Sequence, residues 1–224
     1  YCELVINGDY KGIYILMEKI KRDKDRVDIA KLDTDDLAGD SLTGGYIIKV
    51  DKYTGTGGVD WLSDFPNISG GSLYIQYHYP EATALQPQQL NYIEQYVDSF
   101  EYALNGLNFA DTSIGYAKYI DINSFIDFYI INEISKNIDG YRLSTYMHKD
   151  KQSKGGKLTM GPFWDFNLAF GNADYCNGGI TSGWEVNGGC GGNNPFWFER
   201  LLDDTIYENK LKCRWEYLRE KSFH

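Results

Sequence analysis

Residues 121–142 read DINSFIDFYIINEISKNIDGYR, and this stretch decides the fold. Ile122, Phe125, Ile126, Tyr129, Ile130 and Ile134 recur at three- and four-residue spacing, which predicts a helix with a wide apolar stripe. Asp121 or Asn123 supplies its N-terminal cap, and it runs to about Lys136. Directly after it comes Asn137-Ile138-Asp139-Gly140-Tyr141-Arg142, a loop that carries an acid.

Downstream, Leu143–His148 and Lys157–Met160 predict a hairpin around Lys151–Gly156. It leads into Gly161-Pro162-Phe163-Trp164-Asp165-Phe166-Asn167, a second segment with an acid. Residues 171–194 form a long Gly/Asn loop, and Tyr207, Leu211, Trp215 and Leu218 mark a closing helix. Trp184, Phe196, Trp197 and Phe198 are expected to pack the final helices rather than to form a sticky surface. Upstream, Pro87 opens a helix with Leu90, Ile93, Val97, Phe100 and Leu104 on one face, and Gly106 ends it. Before that lie strands at 2–7 and 13–18, joined at Asn7-Gly8-Asp9, and further strands at Tyr46–Val50 and Leu73–Tyr79. Residues 19–40 read as helix and loop, and 51–72 as loop centred on Thr54-Gly55-Thr56-Gly57-Gly58. Strands first and helices later predict an α+β fold, not a doubly wound sheet.

The 224 residues suit one domain, 1–224, with a strand-rich part over 1–80 and a mainly helical part over 81–224. With 32 acids against 22 bases the net charge is −10, which argues against a nucleic-acid partner. No apolar run has the length of a membrane span. The chain opens at Tyr1, and a longer parent chain is expected. Four cysteines form no Cys-x-x-Cys pair, so a structural zinc is not expected. A disulfide between Cys176 and Cys190 would close a Gly-rich loop, but other pairings and four reduced, buried cysteines stay open. Abundant Tyr, Asn and Gly point to an extracytoplasmic or cell-surface location. Gly55-Thr56-Gly57-Gly58 lacks the Gly-Lys-Ser/Thr of a phosphate loop, and no Gly-x-Ser-x-Gly elbow is present.

A helix, an acidic loop, a hairpin and a second acid can bring two distant carboxylates to one cleft. One can take a proton from a hydroxyl, and the other can hold Mg²⁺ on phosphate oxygens. The plainer alternative is that Asp139 and Asp165 cap turns or pair with Arg142.

Three ordered blocks resemble the CotH kinase family. Val5–Ile20 resembles its strand-pair signature, Phe163–Gly171 its second signature, and Asn132-Glu133 through Asp139 with Thr145–Asp150 the block between. The resemblance implies a reduced protein-kinase-like fold whose N-terminal lobe is incomplete in these residues. It implies transfer of the ATP γ-phosphoryl group to serine of a protein, as in spore coats, with Mg²⁺ or Mn²⁺. Asp139 matches the base, Asp165 the metal-binding aspartate, and Met17-Glu18 the hinge that meets adenine. Ser144 stands where kinases carry a second metal ligand, Asn, with Asn137 and Asn167 as substitutes. The phosphate-contacting lysine of kinases would lie upstream, leaving Lys49 as the internal candidate, against its reading as a solvated strand-end lysine. An acidic surface suits a basic, Ser-rich protein substrate. Two rival readings are a non-catalytic surface or scaffold module with the same fold, and a carbohydrate-binding module suggested by the many Tyr and Trp residues.

Overall fold

The computed structural model describes residues 1–53 and 60–222. The chain opens with an antiparallel hairpin of β1 (Cys2–Ile6) and β2 (Asp9–Tyr14), turning through Asn7 and Gly8 at positive φ. Val5, Ile13, Leu16 and Met17 are exposed, and the hairpin forms a sheet of its own. β2 ends at Tyr14, four residues short of the sequence expectation, so Met17 and Glu18 lie in an irregular exposed segment.

Residues 19–38 are irregular, where a helix was expected; only the short α1 (Gly39–Leu42) follows. Two local effects oppose helix. The Asp23 carboxylate accepts the Asp25 amide and that of Asp36 accepts the Asp33 amide, so side chains compete for the backbone. Ile20, Val27 and Ile29 are instead drawn onto a sheet face beside Ile47 and Tyr146.

The main sheet has five antiparallel strands in the order β4-β5-β3-β6-β7. They are β3 (Tyr46–Val50), β4 (Asp60–Leu62), β5 (Tyr74–Tyr79), β6 (Thr145–Lys149) and β7 (Leu158–Met160). β4 lies inside the stretch read as loop, and Thr54–Gly58 fall outside the described residues. β3 is central, and period-two alternation gives it two apolar faces. Tyr46, Ile48 and Val50 enter the main core, whereas Ile47 enters a smaller cluster with Ile20, Val27, Ile29 and Tyr146.

α2 (Pro87–Asn105) and α3 (Ile122–Ser135) cover the core face of the sheet, joined by α4 (Trp197–Leu202) and α5 (Thr205–Lys221). The Asp121 carboxylate accepts the Asn123 amide and caps α3 as expected. α3 buries residues on nearly every side, from Phe125 to Ser135, as a central helix must. Phe196 is half-buried and Trp197 and Phe198 are buried against these helices, but Trp184 is exposed.

Cys176 and Cys190 are bonded. Cys2 and Cys213 are free and exposed, which overturns four reduced, buried thiols.

Glu101, fully buried on α2, accepts hydrogen bonds from Ser63 and the Trp197 indole, both at 2.7 Å. Burial pushes its carboxyl from 4.5 up to about 7, against the opposing effect of those two donors. A folded-state value above the unfolded one means that stability is fully present below about pH 4.5 and is lost as pH rises through about 7. The loss is at most about 3 kcal/mol. Glu101→Gln should remove this component between pH 5 and pH 8 in urea titrations, with the Ser63 hydroxyl turning to accept from the new amide. An unchanged pH slope would refute the assignment.

Candidate active site

The last turn of α3 organises the loop that carries Asp139. Lys136 ends the helix at φ 46°, and its amide returns to the Asn132 and Glu133 carbonyls. The buried Asn132 side chain donates to the Phe128 carbonyl at 2.9 Å and accepts from the Asn137 amide group at 3.0 Å. Asn137 also sends its backbone N–H to the Asn132 carbonyl. Gly140 follows because the loop lies against Asn132: a Cβ there would stand 2.4 Å from its Oδ1. Asp139 is partly buried, and its Oδ1 is held by the Arg142 guanidinium at 2.5 Å. Arg142 also donates to the Ile138 carbonyl, so Asp139 is fixed from within its own loop.

Glu133 ties that loop to the next one. Its Oε1 accepts from the Tyr141 hydroxyl at 2.7 Å and the Val186 amide at 2.8 Å. Its Oε2 accepts from the Glu185 amide at 2.9 Å. Glu185 in turn pairs with Lys136 at 2.7 Å. Burial raises the Glu133 carboxyl, and the three donors pull it back towards the charged form. The Gly-rich loop that reaches Glu133 is closed by the Cys176–Cys190 bond. The Ser135 carbonyl accepts the Phe170 amide at 2.6 Å, which docks the segment after Asp165 on the same helix end.

The sheet brings the remaining residues together. β6 begins just after Ser144, whose hydroxyl donates to Asp165 Oδ2 at 3.2 Å. Ser144 and Asp165 both have positive φ, 49° and 64°. Such backbone is costly for these residue types and is held by its surroundings. On β3, Lys49 lies opposite Tyr146 of β6, with its ammonium 5.7 Å from the ring centroid. Lys49 pairs with Asp51 at 2.5 Å, so it is not a freely solvated strand-end lysine. Burial, then Asp51, then Asp165, push the Tyr146 phenol up to about 12. The two carboxylates therefore act on one ring.

Lys49 near the end of β3 thus lies beside the start of β6, where Ser144 binds Asp165, and the loop of Asp139 ends at Ser144. Met17 is exposed, and Glu18 pairs with Arg26. Two residues further on, Ile20 shares a cluster with Tyr146 and Trp164. The Asn137 amide nitrogen donates to Asn132, while its Oδ1 is buried with no hydrogen-bond partner among the described residues, and Asn167 is exposed. Asp51, Glu133 and Tyr146 were not singled out from sequence. Asp51 had a usable signal, since residues 49 and 51 of one strand face the same side. A groove between α3 and α5, lined by Ile130, Ile134, Trp184 and Leu211, includes Glu133 but none of Asp51, Asp139, Ser144, Tyr146 and Asp165.

The whole chain, residues 1–224, matches the family described as CotH kinase protein, and the chain belongs to that family. Its members are kinase-like and spore-coat proteins, and the coat proteins are surface-associated. No curated protein and no solved structure matches the chain. Among the described residues no helix is long and apolar enough to cross a membrane.

Glu133→Ala leaves three donors without their acceptor. It should cost about 2–4 kcal/mol in urea denaturation. The Glu185 and Val186 amides should lose hydrogen-exchange protection before the strands do. Retained protection at both would show that Glu133 does not hold the loop.

Proposed function

We propose that the chain is an atypical protein kinase that transfers the γ-phosphoryl group of ATP to a serine hydroxyl of a protein. The observation that carries this reading is the Ser144–Asp165 hydrogen bond, which joins the end of the Asp139 loop to the second acidic segment. Asp139 accepts the proton of the serine hydroxyl as its oxygen attacks the γ-phosphorus. The new P–O bond forms as the bond to the bridging oxygen breaks, and ADP leaves. Arg142 orients Asp139 through Oδ1; among the described residues Oδ2 has no hydrogen-bond partner, leaving it open to the substrate hydroxyl.

Asp165 and Ser144 offer hard oxygen donors, which suit Mg²⁺ or Mn²⁺. Among the described residues no group of three or more His, Cys, Asp or Glu could hold a metal. Mg²⁺ uses one or two carboxylates and completes its sphere with phosphate oxygens and water. Held by Asp165 and Ser144, such an ion would supply charge neutralisation to the phosphate oxygens. Lys49 adds positive charge at the same end of β3 and β6, and backbone groups at Met17 and Glu18 would meet adenine. The net charge of −10 favours a basic, Ser-rich protein partner at an extracytoplasmic or cell-surface location. On this reading residues 1–224 act as one domain with a reduced kinase-like fold.

Asp139→Asn and Asp165→Asn should each lower radiolabel transfer from ATP to a Ser-rich basic protein by at least about a hundredfold. Their melting temperatures should stay near that of the unsubstituted chain. Transfer undiminished in both variants would refute the kinase reading. An unsubstituted chain whose melting temperature ignores ATP with Mg²⁺ would favour the non-catalytic scaffold instead.

A further inference from the structure

Asp51 occupies a junction that the proposed chemistry does not yet use. Its Oδ2 pairs with Lys49 at 2.5 Å, and the two side chains are only 23% and 20% exposed, so water screens the pair weakly. Its Oδ1 accepts the Lys52 amide at 2.8 Å and reaches the Ser144 amide at 3.5 Å, the outer limit of a hydrogen bond. Ser144 passes the connection to Asp165 through its hydroxyl. One carboxylate at the end of the central strand therefore touches the cation on that strand and the residue that ends the Asp139 loop.

Charge arithmetic gives this junction a purpose. Lys49 sits over one side of Tyr146, and Asp165 acts on the same phenol. A lysine is a flexible point charge with three donors and seeks the nearest carboxylate. With no counter-ion of its own, Lys49 would seek another carboxylate, and Asp165, linked to Asp51 through Ser144, is the one this network offers. Asp51 satisfies the ammonium first. Among the described residues Asp165 accepts only from the neutral Ser144 hydroxyl, and the remaining ammonium donors of Lys49 are left for a phosphate.

Resting on the phosphoryl-transfer reading, we infer that Asp51 is a positioning residue: it holds Lys49 off Asp165 and fixes Ser144 at the end of the base-bearing loop. It touches neither nucleotide nor substrate. Its loss should therefore appear in nucleotide affinity before it appears in turnover.

The test is a cycle of four proteins: the unsubstituted chain, Asp51→Asn, Lys49→Met and the combined variant. Each is assayed for phosphoryl transfer against ATP concentration, and for binding of a non-hydrolysable ATP analogue with Mg²⁺ by calorimetry. Asp51→Asn keeps an acceptor for the Ser144 amide but removes the charge. It should raise KM and the analogue Kd about tenfold while kcat changes less than about threefold. Asp51→Glu should recover part of the affinity. The combined variant should be no weaker than Lys49→Met alone, because without the lysine there is nothing to hold. Unchanged affinity in Asp51→Asn overturns the inference, as do independent, multiplying losses in the combined variant. An equal fall in kcat and melting temperature with KM constant also overturns it, since that is the mark of a merely structural residue. If the unsubstituted chain neither binds the analogue nor transfers phosphate, the kinase reading fails and takes this inference with it.

Discussion

Glu133 receives hydrogen bonds from the Tyr141 hydroxyl and the Glu185 and Val186 amides, and the arrangement of the acidic loops depends on that carboxylate. Burial of such a group is unfavourable unless its lone pairs are filled by donors. Here the donors come from two different loops, so satisfying one side chain fixes both. The neighbouring residues of the same helix turn add to the effect. Asn132 shapes the path of residues 137–140, and the Ser135 carbonyl docks Phe170. α3 can serve as the anchor because its other positions are apolar and enclosed by the core.

The sheet contributes the second half of the arrangement. Alternation along β3 sends Tyr46, Ile48 and Val50 inward and leaves Ile47 and Lys49 on the other face. Register then places Lys49 opposite Tyr146, one residue from Val50 opposite Thr145, where β6 leaves the Asp139 loop. A one-residue slip would exchange the faces and bury the lysine in the core. The acidic excess of the chain does not oppose an anionic ligand at this end of the strands, because charge here is managed locally. Asp51 holds Lys49, and Arg142 holds Asp139.

The helical part was legible because period and caps agree. The stripes of α2 and α3, the Asp121 cap, Pro87 and Gly106 all mark their elements, and turn residues mark the β6–β7 hairpin. The irregular crossing at 19–38 was not legible. Its apolar residues are drawn to a sheet face by tertiary contacts that no local pattern announces. β4 was missed because three residues are too short for alternation to register. The two aspartates stood out as acids that follow a helix and a hairpin, and Ser144 was singled out through the family resemblance alone. The Glu133 network was not visible, since Tyr141, Glu185 and Val186 converge only after the loop from 171 to 194 folds back. The Cys176–Cys190 bond was one of several open pairings until the loop path was known.

The central claim is that the end of β3 and β6 at Lys49 and Ser144, with Asp165, is a metal–nucleotide site. Paramagnetic relaxation of backbone amide signals by Mn²⁺, added with a non-hydrolysable ATP analogue, tests it directly. The account predicts that broadening centres on Ser144 and Asp165, extends to Lys49 and Tyr146, and disappears in Asp165→Asn. Broadening spread over the exposed acids, or centred elsewhere and unaffected by Asp165→Asn, would contradict it.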